Sequence, residues 1–435
     1  MRHDQKRILK LISRAEAVDK TIASTRKGTI AHEYVAVDEA CGRILAEDIT
    51  APRDLPPCDR AAMDGYAVRS RDTAGASSAN PVRLVIAGKV FPSDGPFPRK
   101  IVRGQCIYAS TGAPLPEGSD AVDQVEKTRL VEEAIEVVQP VPINANVSVK
   151  GEEVKQGVIL FNQGHVVAPQ DIGMLLALGI RSIRVVRKPN VGIISVGDEL
   201  TDAYEERENK VVNDHAYIIA QLLRQLGAEP KVLGVVPDDP QLIKTKIGGA
   251  LRDADIVITI AGSSVGTRDF VPDVVASLGR TAFQGVAVTP GKVTGLGIVD
   301  EKHVVMLPGY LMSALAGFYM FVVPVVNLLL GLDVNCGLPV VEAKLKTPTR
   351  SKHGLERFQL LQLSRHGSSY FAAPIEAKLA AMMDISKANA YTIISKGQVL
   401  REGERVIATL LAPSEFRRIG VENSASNKTG STETN

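Results

Sequence analysis

Tryptophan is absent from the 435-residue sequence, and aromatic residues make up only 4% of it. Proteins that bind single-stranded nucleic acids stack the bases on aromatic side chains, so the composition disfavours this class. An excess of one charge is also missing, with 51 lysines and arginines against 49 aspartates and glutamates. Nucleic-acid binding driven by phosphate neutralisation needs a basic excess. The balance therefore argues against a nucleic-acid partner, while a local anion pocket stays compatible with it.

Cysteines are few: Cys41, Cys58, Cys106 and Cys336. No two of them are spaced as a metal-binding knuckle or a redox pair. We interpret them as reduced and mostly buried thiols. The first 14 residues are basic but lack the apolar stretch of a signal peptide. Together these features predict a cytoplasmic protein.

One apolar stretch is long enough to suggest a membrane span, because residues 304–332 contain no charged residue. Pro308 and Gly309 interrupt its start, and Pro324 lies inside it. No cluster of lysine or arginine flanks its C-terminal end, as a membrane anchor would require. We predict a strand, a tight turn and a helix that is buried on most faces, and no membrane partner.

The first half of the chain changes character twice. A helix is predicted to begin after Ser13, where Glu16 completes a capping box. Between residues 51 and 147, proline-rich joints separate short β-branched runs such as 82–86, which is typical of an all-β insertion. A second helix is predicted to end at Gly179.

A βα rhythm begins at Lys188. Strands are predicted at 191–196, 231–236, 254–260 and 303–307, with helices at 216–226 and 242–251. Buried strands that alternate with helices indicate a parallel sheet covered on both faces. Residues 338–413 return to short strands and turns, which predicts a small closing β domain. The polar tail from about residue 421 is predicted to be disordered.

The chemistry is expected at the carboxyl ends of the parallel strands, where α/β sheets bind ligands. Four segments are predicted to lie there: 197–200, 238–240, 261–269 and 308–309. Small residues before a helix allow backbone N–H groups to bind an oxyanion. Acidic residues at neighbouring strand ends suit Mg²⁺ with phosphate oxygens. Each acid could equally be a helix cap, and the Gly/Ser segment 261–269 a tight turn.

Six segments resemble, in order, signatures of the MoeA family, which are shared with the E domain of gephyrin. They are residues 62–67 (AMDGYA), 110–122 (STGAPLPEGSDAV), 151–153 (GEE), 195–200 (SVGDEL), 290–292 (PGK) and 307–309 (LPG). The resemblance covers about residues 10–413. Any one segment would be a weak signal, whereas six in the family's order are specific.

The resemblance implies a multidomain α/β plus β fold. A discontinuous elongated domain I (1–50 and 148–187) would hold an inserted β-rich domain II (51–147). An α/β parallel-sheet molybdopterin-binding domain III (188–337), a β-barrel-like domain IV (338–415) and a disordered tail (416–435) would follow. The family also implies a homodimer, with the molybdopterin adenylyltransferase as a candidate partner. The implied activity is a molybdopterin molybdenumtransferase, which uses adenylylated molybdopterin, molybdate and Mg²⁺ and releases AMP.

The same resemblance implies site residues. The predicted catalytic positions are Asp64, Thr111, Glu153, Glu199, Asp238 and Asp269, with Glu153 standing where the family usually has aspartate. Glu199, Asp238 and Asp269 are the predicted metal ligands. The predicted substrate-binding residues are Gly262, Ser263, Ser264, Gly266, Arg268, Pro290, Gly291, Lys292, Pro308 and Gly309.

Several family positions near this predicted site are altered. Thr289 replaces a lysine, Tyr310-Leu311 replaces Asn-Pro, and Ile260-Ala261 replaces Ser-Gly. Other departures are Val196, Val293 and the segment 213–215 (NDH). A hydrogen bond to a charged group contributes roughly 1.5–3 kcal/mol, so loss of the lysine could weaken anion binding about 10- to 100-fold. We hypothesise that Arg268 offsets this loss.

Three functions stay open at this point. The first is a working molybdenumtransferase. The second is a non-catalytic molybdopterin-binding paralogue that acts as a carrier or scaffold. The third is an enzyme that uses the same fold on another nucleotide-linked substrate.

Overall fold

The computed structural model describes residues 9–95, 97–202, 210–261, 269–334, 336–376 and 382–421. By contacts the chain divides into two compact units, Met1–Ala31 with Val186–Asn435, and His32–Val185. Helix α1 (Arg14–Ala23) belongs to the first unit. It begins as predicted, because the Ser13 Oγ accepts a hydrogen bond from the Glu16 amide at 3.1 Å. The finer division into four domains stays a prediction.

The unit His32–Val185 is rich in β-strands. Its elements are β1 (His32–Ala36), β2 (Ile49–Thr50), β3 (Arg60–Ala61), β4 (Gly65–Val68), β5 (Val82–Val90), β6 (Gln105–Ala109), β7 (Ala121–Gln124), β8 (Thr128–Val131), β9 (Ala134–Val137), β10 (Val147–Ser148), β11 (Ile159–Phe161), α2 (Pro169–Ala177) and β12 (Ser182–Val186). Six strands form one sheet in the order β7-β4-β6-β5-β9-β8, and the others form short pairs. Only β5 and β6 run parallel within this sheet.

Both faces of this sheet are covered. Along β4, Tyr66 and Val68 join one apolar cluster with Ile135, while Ala67 joins another with Ile107. Successive side chains of a strand point to opposite faces, so a strand with two buried faces is apolar at every position. Because β4 is buried on both faces, the segment 62–67 matches a family motif but does not show the apolar–polar alternation of a strand with one buried face.

The α/β part of the larger unit contains the predicted parallel sheet. Its strands are β13 (Asn190–Val196), β14 (Leu200–Thr201), β15 (Val211–Val212), β16 (Glu229–Val236), β17 (Ile256–Ile260), β18 (Arg280–Gln284), β19 (Val288–Thr289), β20 (Gly295–Val299) and β21 (Lys302–Leu307). Its helices are α3 (Asp214–Gln225), α4 (Pro240–Asp253), α5 (Val271–Leu278), α6 (Leu311–Gly317) and α7 (Val323–Leu329). The main sheet has the order β16-β13-β17-β21-β20-β18.

Strands β16, β13, β17 and β21 run parallel, and β20 and β18 extend the sheet in antiparallel pairing. The apolar runs of β13 and β17 are buried, as a sheet covered on both faces requires. The carboxyl ends of the four parallel strands meet at one edge. At this edge lie the segments 197–200, 238–240 and 308–309 that the sequence singled out, whereas most of the segment 261–269 lies outside the described residues.

The apolar stretch after β21 is a core helix, as predicted. It runs from Leu311 to Leu329, with a π-helical segment Phe318–Val322 between α6 and α7. It is long and apolar enough to cross a membrane, but its residues are all buried inside the protein. Pro324 lies just after the π-helical segment, inside the continuous helix, where the regular α-helical hydrogen-bond pattern is already interrupted.

The C-terminal part forms a closed barrel, which confirms the predicted architecture. Its elements are β22 (Val340–Leu345), β23 (Thr349–Arg350), β24 (Glu356–His366), β25 (Ser369–Pro374), α8 (Met382–Ile385), β26 (Ala390–Ile394), β27 (Val399–Leu400), β28 (Arg405–Leu410) and β29 (Gly420–Val421). The ring runs β24-β25-β22-β28-β26 and closes because β26 also pairs with β24.

The predicted disordered tail began too early. Residues Pro413–Arg418 form a 3₁₀ helix, and β29 then pairs with β24 through Gly420 and Val421. Main-chain pairing fixes Gly420 and Val421, and three of the six residues 416–421 are apolar, so the prediction of disorder for this segment was wrong. Residues 422–435 lie outside the described part of the chain.

Strand pairing, a hydrogen bond and aromatic contacts join the barrel to the α/β part within this unit. Strand β19 pairs in parallel with the start of β24. The Tyr319 hydroxyl of the core helix donates to the Leu411 carbonyl at 2.9 Å. The Tyr319 ring lies over those of Phe358 and Tyr391, with centroids 6.3 and 5.0 Å away. The loop that follows β19 is thereby anchored beside the core helix.

Candidate functional site

A cavity of about 850 Å³ lies at the carboxyl edge of the parallel sheet. The ends of β13, β17 and β21 form its floor, and β15 with the start of α3 forms a wall. The loop 289–293, the start of the core helix and Met382 of the barrel complete the lining. Of the four predicted binding segments, 197–200, 261–269 and 308–309 contribute residues to the cavity lining, whereas 238–240 contributes none.

One side of the cavity suits an anion. Pro308 and Gly309 lead into the N-terminus of the core helix, where the helix dipole is positive and the Leu311 and Met312 amides precede the first intrahelical hydrogen bonds. Lys292 stands on the facing loop with an exposed side chain. Backbone amides and a lysine ammonium are a common combination for binding phosphate.

The loop carrying Lys292 lies tightly against the core helix. Gly291 has φ +108°, and a Cβ there would lie 3.2 Å from the Ala316 Cβ. The Thr294 hydroxyl donates to the Gly291 carbonyl at 2.7 Å and closes the turn. Across the cavity floor, a Cβ on Gly309 would lie 3.1 Å from the Ala261 Cβ. Both glycines of the predicted motifs therefore allow close backbone approach.

A series of hydrogen bonds between polar side chains fixes the start of α3. The Ser195 hydroxyl donates to the Asn213 Oδ1 at 2.6 Å, and the Asn213 Nδ2 donates to the Asp202 Oδ1 at 2.8 Å. The Asp202 Oδ2 accepts from the Val235 amide at 2.9 Å. Ser195 and Asn213 are almost fully buried, so the hydrogen bond between them replaces lost hydration, whereas Asp202 is exposed. These hydrogen bonds hold Asp214 and His215 in the cavity wall.

The predicted acidic residues separate in space. Glu199 lines the cavity with an exposed side chain. Asp238 instead exchanges hydrogen bonds with Asp198: the Asp198 amide donates to the Asp238 Oδ2 at 3.4 Å, and the Asp238 amide donates to the Asp198 Oδ1 at 3.2 Å. Asp269 precedes α5 and is not part of the cavity lining.

The neighbouring Asp239 has the helix-cap role that was the alternative prediction for the acidic residues at the strand ends. It is the N-cap of α4 and accepts hydrogen bonds from the Gln241 and Leu242 amides at 2.8 and 2.9 Å. In the segment 238–240, the cap role therefore belongs to Asp239 and the pairing with the next strand end to Asp238.

The three predicted metal ligands do not form a ready-made site. Among the residues that the structure describes, no three His, Cys, Asp or Glu side chains are grouped so that they could hold a metal ion. Glu199, Asp238 and Asp269 follow three different strands, and the Asp238 carboxylate is turned to a backbone amide. The protein alone therefore does not fit Mg²⁺ at these residues, and no chemical step is assigned to the metal.

The β-rich unit brings Asp64 and Thr111 together. The Thr111 amide and hydroxyl both donate to the Asp64 Oδ1, at 2.6 and 2.9 Å. These hydrogen bonds, the amide first, lower the pKa of Asp64 below its ordinary value and keep it ionised. Glu153 has an exposed side chain in its turn. Its neighbour Glu152 makes the turn contacts, accepting from the Ser148 hydroxyl and the Val149 amide.

Five predicted binding residues, Gly262, Ser263, Ser264, Gly266 and Arg268, lie outside the described residues. Pro290, Gly291, Lys292, Pro308 and Gly309 do line the cavity. The segment 213–215, named above as an altered family position near the site, supplies Asp214 and His215 to the cavity lining, although neither was predicted as a binding residue. Met382 was not predicted, because it comes from the barrel.

Comparison with known proteins agrees with the geometry. Residues 12–179 match the MoeA N-terminal region, domains I and II. Residues 192–327, which supply most of the cavity, match a model described as "Probable molybdopterin binding domain". A molybdopterin molybdenumtransferase of Bacillus subtilis is 32% identical over 413 residues, which are 92% of this chain and 94% of that protein. The chain belongs to the MoeA family. The predicted resemblance is confirmed.

Two further relatives support this membership. A molybdopterin molybdenumtransferase of Haemophilus influenzae is 35% identical over 301 residues, covering 69% of this chain and 73% of that one. The crystal structure of a molybdopterin biosynthesis MoeA protein from Pyrococcus horikoshii superimposes with a TM-score of 0.83 at 32% identity. It covers 92% of this chain and 99% of that chain. This MoeA-family chain therefore belongs to molybdenum cofactor biosynthesis.

Proposed function

We propose that this MoeA-family protein is a molybdopterin molybdenumtransferase, which inserts molybdenum from molybdate into adenylylated molybdopterin and releases AMP. The observation that carries the proposal is the cavity at the carboxyl edge of the sheet, inside the segment matched to molybdopterin binding. Its size is in the usual range for a site that holds a drug-sized or cofactor-sized molecule.

The cavity chemistry suits these substrates. Molybdate and the phosphates of adenylylated molybdopterin are anions. The core-helix N-terminus and Lys292 would bind them, and the same groups would stabilise negative charge on the departing phosphate. Glu199, at the end of β13, would accept hydrogen bonds from hydroxyl or amine groups of the substrate. On the β-rich unit, Asp64, kept ionised by Thr111, is the proposed catalytic carboxylate that accepts hydrogen bonds from the substrate, with Glu153 as an accessory carboxylate.

Asp238 and Asp269, which do not line the cavity, are proposed to contact the bound substrate. Mg²⁺ enters the proposal only together with the substrate phosphates, since it usually binds one or two carboxylates plus phosphate oxygens. The proposal also includes the family's homodimer, a cytoplasmic location and the adenylyltransferase as the source of the substrate. Gly262, Ser263, Ser264, Gly266 and Arg268 are proposed to complete the anion site.

A second function is favoured by one specific observation. Thr289, Tyr310 and Leu311, which replace the family's Lys and Asn-Pro, all line the cavity. A chain that has lost a cation at this wall could bind molybdopterin without processing it. The alternative is therefore a non-catalytic molybdopterin carrier or scaffold.

The test is AMP release from adenylylated molybdopterin with molybdate and Mg²⁺. The transferase proposal predicts AMP from the wild-type chain and at least 100-fold less from Asp64→Asn. Asp94→Asn is the matched control, because the exposed Asp94 likewise accepts one backbone amide, from Phe91 at 2.9 Å. Binding of molybdopterin without AMP would support the carrier instead. No binding at all would contradict both.

A further inference from the structure

The cavity presents one large exposed aromatic ring. Tyr310 is 58% exposed and lines the cavity at the start of the core helix. Of the described lining residues, it is the only one with a phenyl-type ring.

The backbone of Tyr310 is fixed on both sides. Its carbonyl accepts hydrogen bonds from the Ser313 and Ala314 amides, both at 2.9 Å. The preceding Gly309 lies tightly against Ala261, and the following Leu311 is only 2% exposed. The ring therefore moves only about its own side-chain torsions. A stacking partner held by a fixed backbone loses little conformational entropy when a ligand arrives.

The ring and the anion-binding groups belong to the same turn. Tyr310 is the N-cap residue of the core helix, so a ligand whose phosphate binds at this N-terminus would have its next atoms near Tyr310. Met382 of the barrel lines the same cavity and offers a polarisable thioether, which makes favourable contacts with aromatic rings. Phosphate next to a flat heteroaromatic ring is the ligand chemistry that these groups share.

We propose that Tyr310 is a specificity-determining residue that stacks on the pterin ring of the substrate. This inference rests on the proposed function, because it assigns the ring system to molybdopterin. Tyr310 would hold the ring by contact with its face, while Lys292 and the helix N-terminus hold the phosphate. The two parts of the ligand are thus recognised by different residues.

Binding of three probes separates these roles: molybdopterin, 6-hydroxymethylpterin, which has no phosphate, and inorganic pyrophosphate, which has no ring. Stacking on an aromatic side chain typically contributes about 1–3 kcal/mol, or roughly 5- to 100-fold in affinity. Tyr310→Ala should weaken molybdopterin and 6-hydroxymethylpterin by about tenfold and leave pyrophosphate unchanged. Lys292→Ala should weaken molybdopterin and pyrophosphate and leave 6-hydroxymethylpterin unchanged.

Three further variants serve as controls. Tyr310→Phe keeps the ring and should bind all probes within about twofold of the wild-type protein. Tyr217→Ala removes an exposed tyrosine of α3 that does not line the cavity, and should change nothing. Tyr310→Trp introduces the chain's only tryptophan, whose fluorescence should be quenched by 6-hydroxymethylpterin and not by pyrophosphate.

The stacking role alone is overturned if folded Tyr310→Ala binds 6-hydroxymethylpterin as tightly as the wild-type protein. It is also overturned if that variant loses pyrophosphate affinity to the same extent, because the loop rather than the ring would then matter. If the wild-type chain binds neither molybdopterin nor 6-hydroxymethylpterin, the proposed function fails together with the stacking role.

Discussion

His303 makes the stability of the larger unit depend on pH. Its side chain lies at the start of β21 and is only 2% exposed. The Nε2 lies 2.9 Å from the Thr25 Oγ1 and 3.2 Å from the Ser24 carbonyl, just after α1. Thr25 donates its own proton to the Thr21 carbonyl at 2.8 Å, so the Nε2 carries the imidazole proton. The Nδ1 is buried without a hydrogen-bond partner.

Protonation would place a second N–H, at Nδ1, where nothing accepts it. Burial, with a smaller effect of the nearby Arg280, therefore lowers the pKa of His303 from 6.5 to about 4, although the Ser24 hydrogen bond and Glu301 oppose the shift. Between pH 4 and pH 6.5, His303 is protonated in the unfolded chain but neutral in the folded protein. The neutral imidazole therefore makes its full contribution to the free energy of unfolding above pH 6.5. This contribution is lost as the pH falls towards 4. At about 1.4 kcal/mol per pKa unit, the loss amounts to about 3 kcal/mol.

Urea unfolding between pH 7 and pH 4 measures this effect in the wild-type protein and in His303→Gln, which cannot titrate. The free energy of unfolding of the wild-type protein should fall by about 3 kcal/mol more than that of the variant. His32→Gln, which removes an exposed histidine of β1, should follow the wild-type curve. If wild type and His303→Gln lose the same stability over this range, the assignment of a buried neutral imidazole is refuted.

Three further changes test local features by urea unfolding. Ala261 has φ +68°, so Ala261→Gly should stabilise the protein by about 1 kcal/mol, and a lower midpoint would refute the strain. Burial raises the pKa of Asp123, whose Oδ2 has no hydrogen-bond partner, so stability is lost as the pH rises above 3.8. Asp123→Asn should therefore stabilise the protein at pH 7 but not at pH 3, and equal effects at both would contradict this sign. Asn213→Ala should destabilise the protein by about 1–3 kcal/mol, because the Ser195 hydroxyl and Asp202 lose their partner; no change would exclude these hydrogen bonds as the anchor of α3.

Local sequence signals predicted the main elements because local chemistry determines them. The apolar run of β17 and the amphipathic pattern of α3 correspond to a buried strand and a helix with one buried face. The observed ends of strands differ from the predicted ones where hydrogen-bonded pairing with a neighbouring strand outweighs the local sequence preference. Strand β16 begins at Glu229 and includes Pro230, since it pairs with β13 from Asn190 onward. The tail residues Gly420 and Val421 were missed for the same reason.

The arrangement of the site depended on contacts between distant residues. Ser195 and Asn213 meet over 18 positions, and the exchange between Asp198 and Asp238 spans 40. No periodicity or motif shows that an acid will turn to a backbone amide instead of a metal. The motif glycines and Lys292 were predictable, because their turns are local. Met382 was not, because barrel closure brings it to the cavity.

The central claim is that the chain places molybdenum on molybdopterin. The most direct measurement follows the metal: the chain is incubated with adenylylated molybdopterin, molybdate and Mg²⁺, and the product is given to a molybdenum-free apoenzyme that needs the finished cofactor. We predict that the apoenzyme becomes active with the wild-type chain, and at least tenfold less so with Lys292→Ala. An apoenzyme that stays inactive, with molybdopterin bound and recovered without metal, would contradict the claim and leave a carrier.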